Sequence, residues 1–173
     1  MEILASEDLS YIDLKPRLFK CACVGGTFSP FHRGHERLLK TAFRLSEYVV
    51  IKLTTDDYIN AQLKIRKELI QSYEKRKEKL EGILSIYEGR FEIIPLDREE
   101  DCINCKYKDQ TDSIITGQDC LQKAYKINLK RRASDLYEVY IIGVPHILAD
   151  DGKRISSTRI RLGEIDEYGH LLI

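Results

Sequence analysis

Short runs of consecutive apolar residues alternate along this chain with stretches in which apolar positions recur every three or four residues. Phe19 to Val24 reads FKCACV and ends in Gly25-Gly26, the pattern of a buried strand that meets a tight turn. From His35 onward Leu38, Leu39, Ala42, Phe43 and Leu45 fall at helical spacing, which predicts a helix directly after that turn. The β-branched run Tyr48 to Thr54 predicts a second strand, and a helical stretch is expected from about Asp57 to Leu84. Phe91 to Leu96 fits a third strand. Residues 97–109 are polar and show neither period, so a loop or short helix is expected there. Ser113 to Thr116 predicts a fourth strand, Asp119 is a candidate N-cap for a helix to about Arg132, and Val139 to Val144 predicts a fifth strand. Strands alternating with helices imply an α/β fold: a Rossmann-like, parallel five-stranded sheet with helices on both faces. With no repeat or low-complexity linker, residues 1–173 are expected to be a single domain, residues 1–18 being an N-terminal extension.

Composition narrows the function classes. Hydrophobic residues make up 43% and charged residues 32%, as expected of a chain that buries a core. The 28 basic residues balance the 28 acidic ones, so no global field favours nucleic acid or an anionic membrane. No apolar run approaches the roughly 20 residues that span a bilayer. The acidic N-terminus, MEILASEDLSYIDLKPRLFK, is unlike a secretory signal, so a cytoplasmic location is expected, and the five cysteines then read as reduced thiols.

The densest chemical signal is Gly25-Gly26-Thr27-Phe28-Ser29-Pro30-Phe31-His32-Arg33-Gly34-His35, at the junction of the first strand and first helix. Ligands of open α/β sheets bind at the carboxyl ends of strands, where a helix N-terminus offers unpaired N–H groups to an anion. The glycines, Gly26 and Gly34 among them, let the backbone approach a ligand closely. His32 and His35 lie about one helical turn apart and can aim N–H groups at phosphate oxygens. The string is neither a P-loop nor G-x-G-x-x-G. A second cluster, Ile155-Ser156-Ser157-Thr158-Arg159-Ile160-Arg161, offers hydroxyls that cap a helix or bind phosphate, and Arg161 adds a charged fork.

The first string resembles the GTFxPxHxGH signature of the nucleotidylyltransferase superfamily, and the second its ISSTxIR motif. The longer ending, from Ala149 through Asp166 to Leu171, resembles the DGxxISSTRIRxGEIDxxGxL tail of archaeal-type phosphopantetheine adenylyltransferases. Ala124, Ile127, Asn128 and Arg131 resemble that family's A-x-x-IN-x-x-R helix, and Leu53-Thr54-Thr55-Asp56 its L-T-S-D. Ser29 stands where that family usually has Asp, Lys52 where it often has Gly, and Gly117-Gln118-Asp119-Cys120 where an S-E-E-T-like string is usual.

The resemblance implies adenylyl transfer from ATP to 4′-phosphopantetheine in coenzyme A biosynthesis, giving dephospho-coenzyme A and pyrophosphate. It implies catalytic roles for His32, His35 and Arg161, and ATP contacts from Gly26, Thr27, Phe28, Gly34, His35, Asn128, Arg131, Ser156, Ser157 and Thr158. Thr27, Lys52 and Arg76 are the acceptor-side candidates. Mg2+ is expected with ATP, held through phosphate and water, since the motifs contain no carboxylate cage. The expected partners are these small molecules, with neither nucleic acid nor membrane.

Other readings stand beside these. Lys52 in an apolar strand either reaches an acceptor phosphate or snorkels from an edge. The mixed charges of the predicted second helix, Lys64 and Arg66 among them, read as a solvated face. Cys102-x-x-Cys105 is half a zinc site without a second pair, and plain thiols are the simpler reading. Cys120 is a candidate oxidation-sensitive thiol. The alternatives for function are a nicotinamide-mononucleotide adenylyltransferase, a cytidylyltransferase, a nucleotide sensor without turnover, and a nucleic-acid binder using the basic helix. A class I synthetase would need more mass than 173 residues provide.

Overall fold

A computed structural model of the chain describes residues 16–98, 101 and 111–172. Cys102 and Cys105 lie outside the described residues, as do residues 1–15. The element order is β1 (Phe19–Gly26), α1 (Arg33–Leu45), β2 (Ser46–Thr54), α2 (Asp56–Asn60), α3 (Tyr73–Leu84), β3 (Phe91–Leu96), β4 (Ser113–Gly117), α4 (Leu121–Ala133), β5 (Tyr140–Val144) and α5 (Ser157–Arg161). All pairings are parallel, in the order β3-β2-β1-β4-β5. This is the Rossmann-like sheet expected from the alternation of periods.

The central strands are buried on both faces, which sorts the core into two layers. Ala22 and Val24 of β1, with Val49, Ile51 and Leu53 of β2, pack against Leu39, Ala42 and Phe43 of α1 and Leu80 and Leu84 of α3. Cys21, Cys23, Val50 and Ile114 face the other way, against Ala124 and Ile127 of α4. A third, smaller cluster of Ala149, Ile155 and Ile165, with Ile147 and Ile160 beside it, anchors the C-terminal segment. Because β1 and β4 adjoin while the chain passes to opposite sides after each, a crevice opens at their carboxyl ends. Among the described residues no helix is long and apolar enough to cross a membrane.

Two expectations need correction. The helix expected from Asp57 to Leu84 is broken: α2 ends at Asn60, a 3-10 turn spans Lys67–Leu69, and α3 begins at Tyr73. The apolar residues of the break, Leu63, Ile65 and Leu69, find no core and are exposed. Its backbone is instead held by tertiary bonds, with Arg66 in the left-handed region at φ 51°. Asp119, expected as the N-cap of α4, lies in a 3-10 turn, and the cap position is Cys120, with no side-chain cap bond. The Asp119 carboxylate has other partners, described below.

Candidate active site

The loop from Gly26 to His32 leaves β1 and enters α1 at the crevice. Gly26 has no substitute here, since a Cβ would stand 2.9 Å from the Phe28 ring. Phe28 adopts φ 52° and buries its ring in the core, where it also packs against His35. His32 is the N-cap of α1, and its Nδ1 accepts from the Gly34 N–H at 3.1 Å. That bond leaves the proton of the neutral ring on Nε2. Gly34 makes room for the arrangement: a Cβ there would lie 2.9 Å from His32 Cε1.

His35 stacks on His32 with ring centroids 3.8 Å apart at 22°, and Phe28 and Phe31 flank it at 5.0 and 5.6 Å. Burial pushes the His32 imidazolium down to about 4. Burial, and then the nearby His32, pushes His35 well below the ordinary histidine range. Both rings are therefore neutral at pH 7 and act as hydrogen-bonding groups rather than cations. His35 Nδ1 is buried with no hydrogen-bond partner among the described residues. A buried polar atom of this kind is costly to leave unpaired.

Beside the histidines stands a cationic nook centred on Thr27. Its Oγ1 accepts from Lys64 Nζ at 2.6 Å and from Thr54 Oγ1 at 3.0 Å. With both acceptor positions taken, the Thr27 O–H points elsewhere. Burial, then the charges of Arg161, Arg76 and Lys123, pushes the Lys64 ammonium down to about 8. Lys64 escaped the sequence reading because it was assigned to a solvated helix face. It lies instead in the break between α2 and α3, whose irregular backbone carries it to the crevice.

Arg76 is 1% exposed, and its guanidinium is turned to the protein. Nε donates to Gln71 O at 2.8 Å, Nη1 to Thr54 O at 2.8 Å and Thr27 O at 3.3 Å, and Nη2 to Asp56 Oδ1 at 2.7 Å. It thus holds the carboxyl ends of β1 and β2 together. Lys52 is buried on β2, in register with Gly25 and Ile94. Lys52 shares the α4 face of the sheet with Val50, as the strand alternation requires.

The second motif docks on the first. Ser157 Oγ donates to Pro30 O at 3.0 Å, and Arg161 Nη1 to Ser29 O at 3.0 Å. Arg161 also donates from Nε to Ile65 O at 3.1 Å and from Nη2 to Thr158 Oγ1 at 3.3 Å, so it grips the break before α3 as well. Ser156 caps α5 by accepting from Arg159 N at 3.3 Å. Gly26, Thr27, Phe28, His32, Gly34, His35, Ser156, Ser157, Thr158 and Arg161 therefore come together at one end of the sheet, with Arg76 beneath them.

Asn128 and Arg131 are not brought there. The Asn128 amide pairs with both backbone groups of Val139, at 2.8 and 2.9 Å, and Arg131 Nε donates to Tyr137 O at 2.8 Å. These bonds tie the end of α4 to the amino end of β5, at the opposite end of the strands from the histidines. Cys120 lies near the mouth of the crevice, where burial and then Asp119 push its thiol up, so its reactive thiolate is disfavoured.

Comparison with known proteins fits this geometry. The cytidylyltransferase-like family model matches residues 23–163. The phosphopantetheine adenylyltransferase of Methanothermobacter thermautotrophicus is 37% identical over 157 residues, covering 90% of this chain and 92% of that protein. That of Methanopyrus kandleri is 35% identical over 154 residues, covering 86% and 92%. Among solved structures, a protein of unknown function from Archaeoglobus fulgidus superposes with TM-score 0.61 at 22% identity, covering 72% of this chain and 88% of that one. A bifunctional NMN adenylyltransferase/ADP ribose pyrophosphatase from Francisella tularensis gives TM-score 0.59 at 18% identity, covering 83% and 41%. At these identities the structural likenesses concern the fold alone.

Proposed function

The chain belongs to the cytidylyltransferase-like family, alongside the archaeal phosphopantetheine adenylyltransferases, and on that premise we propose that it transfers the adenylyl group of ATP to 4′-phosphopantetheine, releasing pyrophosphate and forming dephospho-coenzyme A. The observation that carries the reading is the junction of the two motifs. Ser157 and Arg161 bond to the carbonyls of Pro30 and Ser29 beside a stacked, buried histidine pair and a lysine-bearing nook. Phosphate-directed groups far apart in the chain thus converge on one crevice.

The chemistry needs no general base. A phosphomonoester has its second pKa near about 6 and attacks as a dianion at neutral pH. One of its oxygens bonds to the α-phosphorus of ATP while the bond from that phosphorus to the oxygen bridging the α- and β-phosphates breaks, and pyrophosphate leaves with the electron pair. What the protein supplies is alignment and neutralisation of charge as it develops.

In this reading Thr27 and Lys64 hold the acceptor phosphate, the hydroxyl donating the hydrogen that its own two bonds leave free. Arg76 supports them from below as a positioning residue, through Thr54 and the Thr27 carbonyl. His32 donates from Nε2, and His35, stacked on it, donates beside it, to oxygens of the α- and β-phosphates. Ser156, Ser157, Thr158 and Arg161 face the β- and γ-phosphates. Gly26 and Phe28 contribute backbone, and Lys52 remains a second cation on the acceptor side. Mg2+ enters as the counter-ion of ATP. No group of three or more His, Cys, Asp or Glu side chains among the described residues is placed to cage an ion, and the hydroxyls and cations present do not suit a bare one.

The deciding experiment offers MgATP with 4′-phosphopantetheine, nicotinamide mononucleotide and glycerol 3-phosphate separately, reading pyrophosphate release and the mass of the adenylated product. Dephospho-coenzyme A from the first and nothing from the others is expected. Turnover confined to another acceptor would overturn the assignment.

A further inference from the structure

Asp119, His146 and Arg154 form a charged cluster that the reading above does not use. Asp119 stands in the turn between β4 and α4, at the carboxyl end of the sheet. His146 Nε2–H donates to its Oδ1 at 2.9 Å, and Arg154 Nη1 donates to its Oδ2. The two donors sit at the two roots of one hairpin. Leu148 and Arg154 form an antiparallel bridge, Ile155 N donates to Ile147 O at 2.9 Å, and the tip turns through Gly152 at φ 74°. Arg159 closes the hairpin from the far side through Asp151 and the Arg154 carbonyl. Directly after the second root come Ile155 and the hydroxyls of Ser156 and Ser157.

A single carboxylate thus grips both legs of the hairpin that delivers the second motif and ties them to the strand beside the crevice. Gly117 makes this possible, because a Cβ at that position would lie 2.8 Å from Asp119 Oδ1. The segment Gly117-Gln118-Asp119-Cys120 is also where the chain departs from the S-E-E-T-like string of the family it resembles.

We propose that Asp119 is a positioning residue for the nucleotide: by joining His146 and Arg154 it sets how Ser156 and Ser157 meet the loop at Ser29 and Pro30. The inference rests on the nucleotide reading of that site. Because α5 stays bonded to Ser29 and Pro30 without it, losing Asp119 loosens the triphosphate end without unfolding the chain. Networks of half-exposed charges are individually weak, so the effect is modest and the two side chains act as one unit.

The test is a double-mutant cycle of Asp119→Ala and Arg154→Ala, reading the Kd of MgATP by calorimetry and the KM of each substrate. Each single variant is expected to raise the Kd and KM of MgATP about fivefold, with kcat and the acceptor KM within twofold of wild type. The double variant is expected to match the singles instead of multiplying them. An unchanged MgATP Kd in Asp119→Ala, multiplicative losses in the double variant, or an equal rise in the acceptor KM would each overturn the inference. Wild-type protein that binds no MgATP would overturn the nucleotide reading itself, and with it the inference, so the two failures are told apart.

Discussion

His32 and His35 show how burial changes what a residue can offer. As neutral imidazoles they offer directed N–H groups, which in the proposed reaction would cost no reorganisation when charge develops on a phosphate oxygen. His35→Ala is expected to lower kcat by about two orders of magnitude with an unchanged Tm, measured by steady-state kinetics and calorimetry. Lys64 acts through its charge instead. With its pKa pushed down to about 8, the ammonium is protonated at pH 7 and loses its proton as the pH rises through about 8. The kcat/KM for the acceptor should therefore rise as the acceptor phosphate ionises around pH 6 and fall again above about 8. Lys64→Arg keeps its charge throughout, and its profile should lack the alkaline fall. The same alkaline fall in that variant would remove Lys64 from the assignment.

At the scale of elements, α1 was legible because its apolar stripe repeats with the helical period, although it starts at Arg33, two residues before the expected His35. What Gly34 does was not legible, since it depends on where the His32 ring turns. Alanine is ordinarily better than glycine within a helix by up to about 1 kcal/mol. Gly34→Ala is nonetheless expected to lower kcat at least tenfold, because its Cβ would displace the imidazole from the Gly34 amide. Activity assays beside a urea titration separate the two effects, and full activity in this variant would sink the capping argument. The break between α2 and α3 is the converse case. Its charges and scattered leucines mimic a solvated helix, but tertiary bonds from Lys64 to Thr27, from Arg161 to Ile65 O and from Gln71 N to Ser29 Oγ hold it open. No local pattern announces bonds whose partners lie tens of residues away.

At the scale of the whole molecule, the sheet order decides what meets what. Strand β1 lies in the middle, so its loop faces β2 and its break on one side and β4 with the C-terminal hairpin on the other. The third core cluster then fixes the second motif against the first, with Ile165 fully buried in it. Ile165→Ala should cost about 2 to 5 kcal/mol in urea unfolding and raise the MgATP KM, since the cavity it leaves lies under α5. A loss of stability with no change in that KM would detach the cluster from the site.

The sequence alone determined the class of fold, because short continuous apolar runs and stretches at the helical period are local and survive any arrangement around them. It also singled out both motifs, whose glycines, histidines and hydroxyls are dense enough to be read in place. Only the tertiary structure decided which cations reach the crevice. It brought in Lys64 from a presumed surface helix, turned Arg76 inward to carbonyl groups, and set Asn128 and Arg131 at the far end of β5. Charge is written in the sequence, but its direction is set by which backbone carbonyls and carboxylates lie within hydrogen-bonding distance after the sheet has closed.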